Sequence, residues 1–434
     1  MSIKTIIYLG IRPFTPKKHG IRGVILHTVL VVAVAMLPLS VVLMVADGMI
    51  QGITNRYIET SSYHFRVYSR QPAEVIDFEE YEETKARILS LSNIKSVSIE
   101  RNGAGLGVST SLKEGVQIRG VDPDLLKTDK EMNHFIDIVD GEFDLNDSKS
   151  IVLSSSLARK MDVNVGDDYR LITGKVLSNG RILPKISKMS ITGIIKTGYE
   201  DLDRLWVFIP YSNSVKILPN SSSDTFIGIK CSEPYGNLDK IYQEIKSELP
   251  SGWVIRNWRQ LNRNTYENFK TTKMVLSLIM GLIVLVAAIN ISSSLIMLVL
   301  EKRRDIAILK GMGLSPQEVM GSYLFTGVII GIIGTLLGVI LGIYISININ
   351  EIIAFFEKSI NIVFVGFNYL LNRSEGAKFI LLDSSYYLDD IPVDVDITKL
   401  SLMTFFSIIT TSMASYFPAR RAGLIKPLTI MQKY

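Results

Sequence analysis

The chain has 434 residues, 47% of them hydrophobic and 21% charged, with a mean hydropathy of +0.27. A net charge of +5 is too small to argue for nucleic acid. A single cysteine, Cys231, excludes an intrachain disulfide framework, and with only four histidines beside it a dedicated metal site is not expected. Positive hydropathy carrying this much charge points to a hybrid of a few bilayer spans and a large water-exposed domain.

In chain order, residues 1–22 hold Lys4, Arg12, Lys17, Lys18 and Arg22 and no acid. The uncharged run Gly23–Ala46 follows. A helix needs about 20 apolar residues to cross a bilayer, so 23–46 is the first expected span. It is long for a signal-peptide core, and Ala46-Asp47-Gly48 lacks an A-x-A cleavage pattern, so it reads as retained. Residues 47–272 then alternate helix and strand signals. Asp77–Ser92 is acidic early, basic late and apolar at helical spacing. Ile94–Glu100, Gly115–Val121, Met189–Ile195 and Leu205–Ile209 read as strands, and Ser154–Met161 as a short serine-capped helix. Asn237–Leu249 is an amphipathic helix with an Asn cap. The expectation is a mixed α+β domain held between the first two spans. Within it, Gly174–Lys188 is acid-free, carries Lys175, Arg181, Lys185 and Lys188, and has the hairpin-turn pair Asn179-Gly180. Two readings stand: a solvated hairpin, or a protruding arm that docks a partner.

The second uncharged run, 274–300, contains Asn290 and Ser292–Ser294, polar residues that either line a path or bond a neighbouring helix. The loop 301–318 carries Arg303, Arg304 and Asp305, the apolar patch Ile306–Leu309, and a helix break at Gly311-Met312-Gly313. Ser315, Pro316 and Glu318 fit N-cap, N1 and N3 of the next helix. Such a patch in water points to the membrane surface or to a groove on a partner. The third expected span, 319–346, sets Gly327, Gly331, Gly334, Gly338 and Gly342 on one side, a helix-packing face in lipid. In the loop 347–399, Ser359–Leu371 is apolar but too short to span, and reads as a core or interfacial element. The fourth span is 400–419, and the tail 420–434 carries Arg420, Arg421, Lys426 and Lys433 without an acid. Acids outnumber bases in 351–399, whereas both termini and 301–318 are basic. The positive-inside rule then puts both termini and the 301–318 loop in the cytoplasm, and 47–272 with 347–399 outside.

Several chemistries are missing from the sequence. It has no G-x-x-x-x-G-K-[ST], no H-E-x-x-H and no G-x-S-x-G, and His19, His27, His64 and His134 make no metal or catalytic spacing. The four runs hold no charge of the kind that couples ions to transport. Energy for any work must come from elsewhere.

Five stretches carry a family resemblance: Ile7–Phe14 (IYLGIRPF), Val45–Met49 (VADGM), Leu282–Met320, Tyr386–Asp396 (YYLDDIPVDVD) and Tyr416–Met431. They resemble the transmembrane subunits of lipoprotein-releasing ABC transporters, the LolC/LolE family within the MacB/FtsX-like permease superfamily. Arg12-Pro13-Phe14 stands where a tyrosine-containing start is usual. The resemblance implies a multi-pass protein of the bacterial inner membrane: four transmembrane helices and a MacB-like periplasmic α+β domain. It implies a second permease subunit, homologous or identical, and a cytoplasmic ABC ATPase, LolD-like, on a separate chain. ATP and Mg would be bound there, leaving this chain without a cofactor or catalytic residue of its own. The segment Arg303, Arg304, Asp305, Ile306, Ala307, Ile308, Leu309, Lys310, Gly311 and Gly313 matches the family's ATPase-coupling helix. Lipoprotein cargo would pass from membrane lipid to a periplasmic carrier, LolA-like. Arg181, Ile182, Leu183, Pro184 and Lys185 fall near the family's carrier-binding hook. The rivals are a MacB/FtsX-like permease passing force to a periplasmic partner, and a membrane receptor that only binds a ligand. The large outer domain, the lack of a fused nucleotide-binding domain and the acidic 386–396 segment favour the lipoprotein-releasing kind.

Overall fold

The computed structural model describes residues 3–11, 19–69, 78–109, 112–176, 182–220, 223–370, 380–381, 388 and 390–427. It divides into two compact units. One comprises residues 1–49, 269–379 and 391–434, the other residues 50–268 and 380–390.

The first unit is helical. Its long helices are His19–Arg56 (long helix 1), Arg263–Glu301 (long helix 2), Pro316–Ile347 (long helix 3) and Ile397–Gly423 (long helix 4). Among the described residues these four are long and apolar enough to cross a membrane. Each outruns its uncharged stretch, because a helix continues into polar residues wherever its backbone bonds stay paired. The apolar 359–371 stretch forms the later part of a helix, Ile349–Leu370. Ser315 caps long helix 3 as the sequence suggests. Its Oγ accepts from Glu318 N at 3.3 Å, and Glu318 Oε2 accepts from Ser315 N at 3.0 Å.

The second unit is built on one mixed sheet of ten described strands. They are β1 (Phe65–Ser69), β2 (Ile94–Val108), β3 (Lys113–Val121), β4 (Asp137–Gly141), β5 (Ser150–Ser154), β6 (Asp168–Val176), β7 (Ile182–Lys196), β8 (Trp206–Pro210), β9 (Ser223–Cys231) and β10 (Trp253–Asn257). Their order is β10-β1-β9-β2-β3-β8-β5-β7-β4, with β6 pairing β2 and β7. β3 with β8 and β5 with β7 are parallel pairs, while the two-residue alternation of β1 and β2 serves antiparallel partners. Every residue of β5 and β8 is buried, which fits the apolar stretches Ile151–Leu153 and Trp206–Ile209 within them. The helices Phe78–Leu89 and Leu238–Glu248 cover one core with Phe65, Val67, Ile227 and Ile229. Asn237 caps the second of them, its side chain accepting from Lys240 N at 3.3 Å. The serine cap expected at Ser154 is absent: its hydroxyl donates to Trp206 O at 3.1 Å, so the side chain ties β5 to β8 instead.

Candidate functional site

Between long helices 2 and 3 the chain turns at Lys302 and forms the short helix Arg303–Gly311. The apolar patch read from the sequence does not face outward as one block. Ile306 is 2% exposed and Ala307 fully buried. Ile306 packs with Val299, Val319 and Ala422 of the long helices around it. Lys310 also turns inward. Its Nζ donates to the carbonyls of Gly423 at 2.8 Å and Ile425 at 2.7 Å, satisfying the open end of long helix 4. What remains on the surface is a different stripe: Arg304, Ile308 and Met312, four residues apart, with Arg303 and Asp305 beside them. Met312 is 79% exposed and Ile308 42%. Leu309 is half-buried, and Gly311 has open space where a Cβ would stand. Gly313, at φ +104°, takes a backbone conformation that favours glycine and turns the chain into long helix 3.

The five glycines of long helix 3 serve two neighbours. A Cβ on Gly327 would collide with Ser415 and one on Gly331 with Thr411, both of long helix 4. Thr335 continues that row, bonding Ser407 at 3.2 Å. A Cβ on Gly334, Gly338 or Gly342 would strike long helix 1 at Val32, Met36 or Ser40. The pairings run antiparallel with long helix 4 and parallel with long helix 1. Asn290 is exposed, and Ser292 and Ser294 are half-buried.

In the sheet unit, buried charges converge on one turn, Tyr57–Ser62, a π-helical segment. Arg119 of β3 pairs with Glu100 of β2, its Nη2 3.0 Å from Oε2, and donates through Nη1 to Thr60 O at 2.7 Å. Its guanidinium lies 4.4 Å from the centre of the Trp206 ring. Lys230 of β9, fully buried, donates to Glu59 O at 2.6 Å and to Asp129 Oδ1 at 2.8 Å. His64 Nδ1 accepts from Cys231 N at 2.8 Å, so the ring proton sits on Nε2 and is donated to Glu59 Oε1 at 3.0 Å. Burial pushes the Cys231 thiol up to about 11, so it stays protonated and unreactive. No group of His, Cys, Asp and Glu side chains among the described residues is arranged to hold a metal. A cleft of about 150 Å³ is lined by Phe78, Glu82, Ile99, Asp122 and Tyr211 among others.

The family model of the MacB-like periplasmic core domain matches residues 25–247, more than half of the chain. The chain belongs to that family. An FtsX-like permease C-terminal model matches residues 277–372. Lipoprotein-releasing system transmembrane protein LolC of Neisseria meningitidis serogroup B is 28% identical over 323 residues, 72% of each chain. LolC of Haemophilus influenzae is 23% identical across 100% of both chains, and LolE of the same organism 22% identical over 86% of this chain and 85% of that one. The chain is therefore a LolC/LolE-family protein of the MacB/FtsX superfamily, a membrane permease with an α+β MacB-like domain, and it lies about equally far from the two Haemophilus paralogues.

For a MacB-family chain the expected coupling residues are partly brought together. Arg303, Arg304, Asp305 and Ile308 share the outer surface, while Ile306, Ala307 and Lys310 belong to the helix unit's own packing. Met312, exposed four residues after Ile308, extends that surface. The expected hook lies on the β6–β7 hairpin, in antiparallel register from Asp168↔Ser190 to Val176↔Ile182. Arg181 and the Asn179-Gly180 turn lie outside the described residues, as does the side chain of Ile182. Leu183, Pro184 and Lys185 are exposed, and Lys185 Nζ reaches back to Lys216 O at 2.8 Å. The buried joint around Arg119 carried no sequence signal, because its partners Thr60, Glu100 and Trp206 come from three separate segments.

Proposed function

We propose that this chain is the transmembrane permease subunit of a lipoprotein-releasing ABC transporter. In this reading the four long helices cross the bacterial inner membrane with both termini in the cytoplasm, and the sheet unit stands in the periplasm. The chain pairs with a second permease subunit and with a separate cytoplasmic ATPase that holds ATP and Mg, and is not an enzyme by itself. The ATPase grips the Arg303–Gly311 helix, and its stroke drives lipid-anchored cargo from the membrane to a periplasmic carrier. The observation that supports this most is the LolC likeness extending over the whole chain, joined to a short helix with an exposed Arg304–Ile308–Met312 stripe. An apolar side chain buried in a partner's groove contributes roughly 1.5–3 kcal/mol.

The test replaces Ile308 and Met312 by Asp and reads ATPase co-purification together with lipoprotein release from membrane vesicles. Both should fall, while the helix unit folds normally because neither side chain is in its core. Ile306→Asp, by contrast, should damage the fold. Full ATPase retention and full release in the Ile308/Met312 variant would mean that coupling runs elsewhere. A force-transmitting permease of the MacB or FtsX sort would keep the ATPase and release no lipoprotein.

A further inference from the structure

Two motifs, Val45–Met49 and the end of Tyr386–Asp396, have no part in the mechanism above, yet they meet in the helix unit. Asp47 of long helix 1 is 8% exposed. Its Oδ2 accepts from Lys399 of long helix 4 at 2.8 Å, and its Oδ1 lies 3.1 Å from Lys273 Nζ of long helix 2. Asp396 shares Lys399 at 3.3 Å and caps long helix 4, accepting from Thr398 N at 2.9 Å. The strand of chain before it lies against long helix 1. Asp394 N donates to Met44 O at 3.3 Å, and a Cβ on Gly48 would run into the Pro392 carbonyl. Asn350 fixes the start of that strand, accepting from Ile391 N at 3.1 Å and donating to Ile391 O at 3.3 Å. One carboxylate thus ties three long helices at one end.

The strength of the tie matters. The glycine contacts further along are close, and nothing in them comes apart without loss of packing. Lys273 and Lys399 have side chains 47% and 44% exposed, so water can take over both ammonium groups when the tie opens, while the Asp47 carboxylate they share is mostly buried and favours the tied state. The joint can therefore open without disturbing any close packing. We infer that Asp47 is a positioning residue, an ionic latch that holds long helices 1, 2 and 4 together at rest and opens in each transport cycle. The inference rests on the transporter reading for the cycle itself.

The test places cysteines at Met44 and Asp394, whose backbones are hydrogen-bonded, and joins them by oxidation or with a short, reducible thiol-specific cross-linker that tolerates imperfect Cβ geometry. Native Cys231 is buried and stays out of the reaction. The complex with its ATPase is assayed in vesicles, oxidised and then reduced. Locking the latch should slow ATP hydrolysis about tenfold, roughly 1.4 kcal/mol on the barrier, with recovery on reduction. Asp47→Asn should raise hydrolysis in the absence of cargo, and Asp47→Glu should not. Complete cross-linking with hydrolysis unchanged would make the joint a static clamp and overturn the inference, as would failure of the pair to cross-link. Hydrolysis reads the latch whatever the cargo is. Absence of lipoprotein release by the unmodified complex would instead sink the transporter reading.

Discussion

The helix unit and the sheet unit hold their elements together by opposite means. In the first, long helix 3 removes side chains at Gly327, Gly331, Gly334, Gly338 and Gly342 so that two neighbours come close. In the second, full charges are taken inside: Glu100 with Arg119, and Lys230 with Asp129, all nearly inaccessible. Lipid gives helices no hydrophobic reason to associate, so contact distance and small residues must supply it. A sheet domain in water has ample apolar burial from its three clusters. It carries buried ions at a desolvation cost and gains a defined seat for the Tyr57–Ser62 turn.

The largest effect should come from breaking that seat. Arg119→Met leaves Glu100 charged and alone in the core, and removing one partner of a buried pair costs about 3–5 kcal/mol. Unfolding of the full chain in detergent, followed by fluorescence of the adjacent Trp206, should show the loss. Adding Glu100→Leu should recover much of it. If the double variant is as unstable as the single one, the pair does not act as a unit and the contrast between the units weakens.

Next comes a buried acid with a different balance. Asp203 is 2% exposed, and burial pushes its carboxyl up to about 6, against the backbone hydrogen bonds from Thr197 at 2.9 Å and Gly198 at 3.2 Å that favour the charged form. Because the folded value lies above the unfolded one, the proton is bound more tightly when folded. The associated stability is complete below about pH 4 and is lost as pH rises through about 6, an effect of up to roughly 3 kcal/mol. Asp203→Asn should therefore flatten the stability difference between pH 4 and pH 7 relative to the parent chain. A parallel pair of curves would show that Asp203 does not titrate there.

The same contrast explains what the sequence made legible. A membrane helix announces itself by the absence of charge over a long run, and its caps are local, so the long helices and the Ser315 capping box were visible in advance. The α+β character of the outer unit followed from alternation in Ile94–Glu100 and from the amphipathic Asn237–Leu249. The joint around Arg119 was not readable, since Thr60, Glu100 and Trp206 meet it only after the sheet forms. The short helix Arg303–Gly311 was half readable. Its position followed from the break at Gly313, but a nine-residue helix has two apolar faces, and only packing shows that Ile306 turns in and Ile308 out. Glycine spacing gave the packing face, while the division between two neighbours needed the fold. Gly338→Leu should test it, because a side chain there meets the backbone of Ala33 and overpacking costs about 1–3 kcal/mol. Gly281, with open space around it, is the control and should tolerate the same change. Equal thermal stability of the two variants would remove the close-packing argument.

The smallest effect belongs to charges that are neither buried nor tightly packed. On the β6–β7 hairpin, Lys185 and Lys188 are exposed, and Lys185 already spends one hydrogen bond on Lys216 O. Exposed charges of this kind are worth about 0.2–1 kcal/mol each, and salt screens them beyond about 8 Å at physiological strength. If the hairpin docks a carrier, Arg181→Glu with Lys185→Glu should slow association at low salt, leave dissociation nearly unchanged, and converge on the parent chain as salt rises. ATPase assembly should not change. Leu183 and Ile186, 52% and 61% exposed, sharpen the point, since they are apolar groups on the same arm. Leu183→Ser with Ile186→Ser should act on dissociation instead, because it removes buried contact from the bound state and does not alter long-range attraction. Carrier binding kinetics measured at two salt concentrations separate these outcomes. An association rate unaffected by the charge reversal at low salt would leave the hairpin as a solvated surface element, the other reading its sequence allowed.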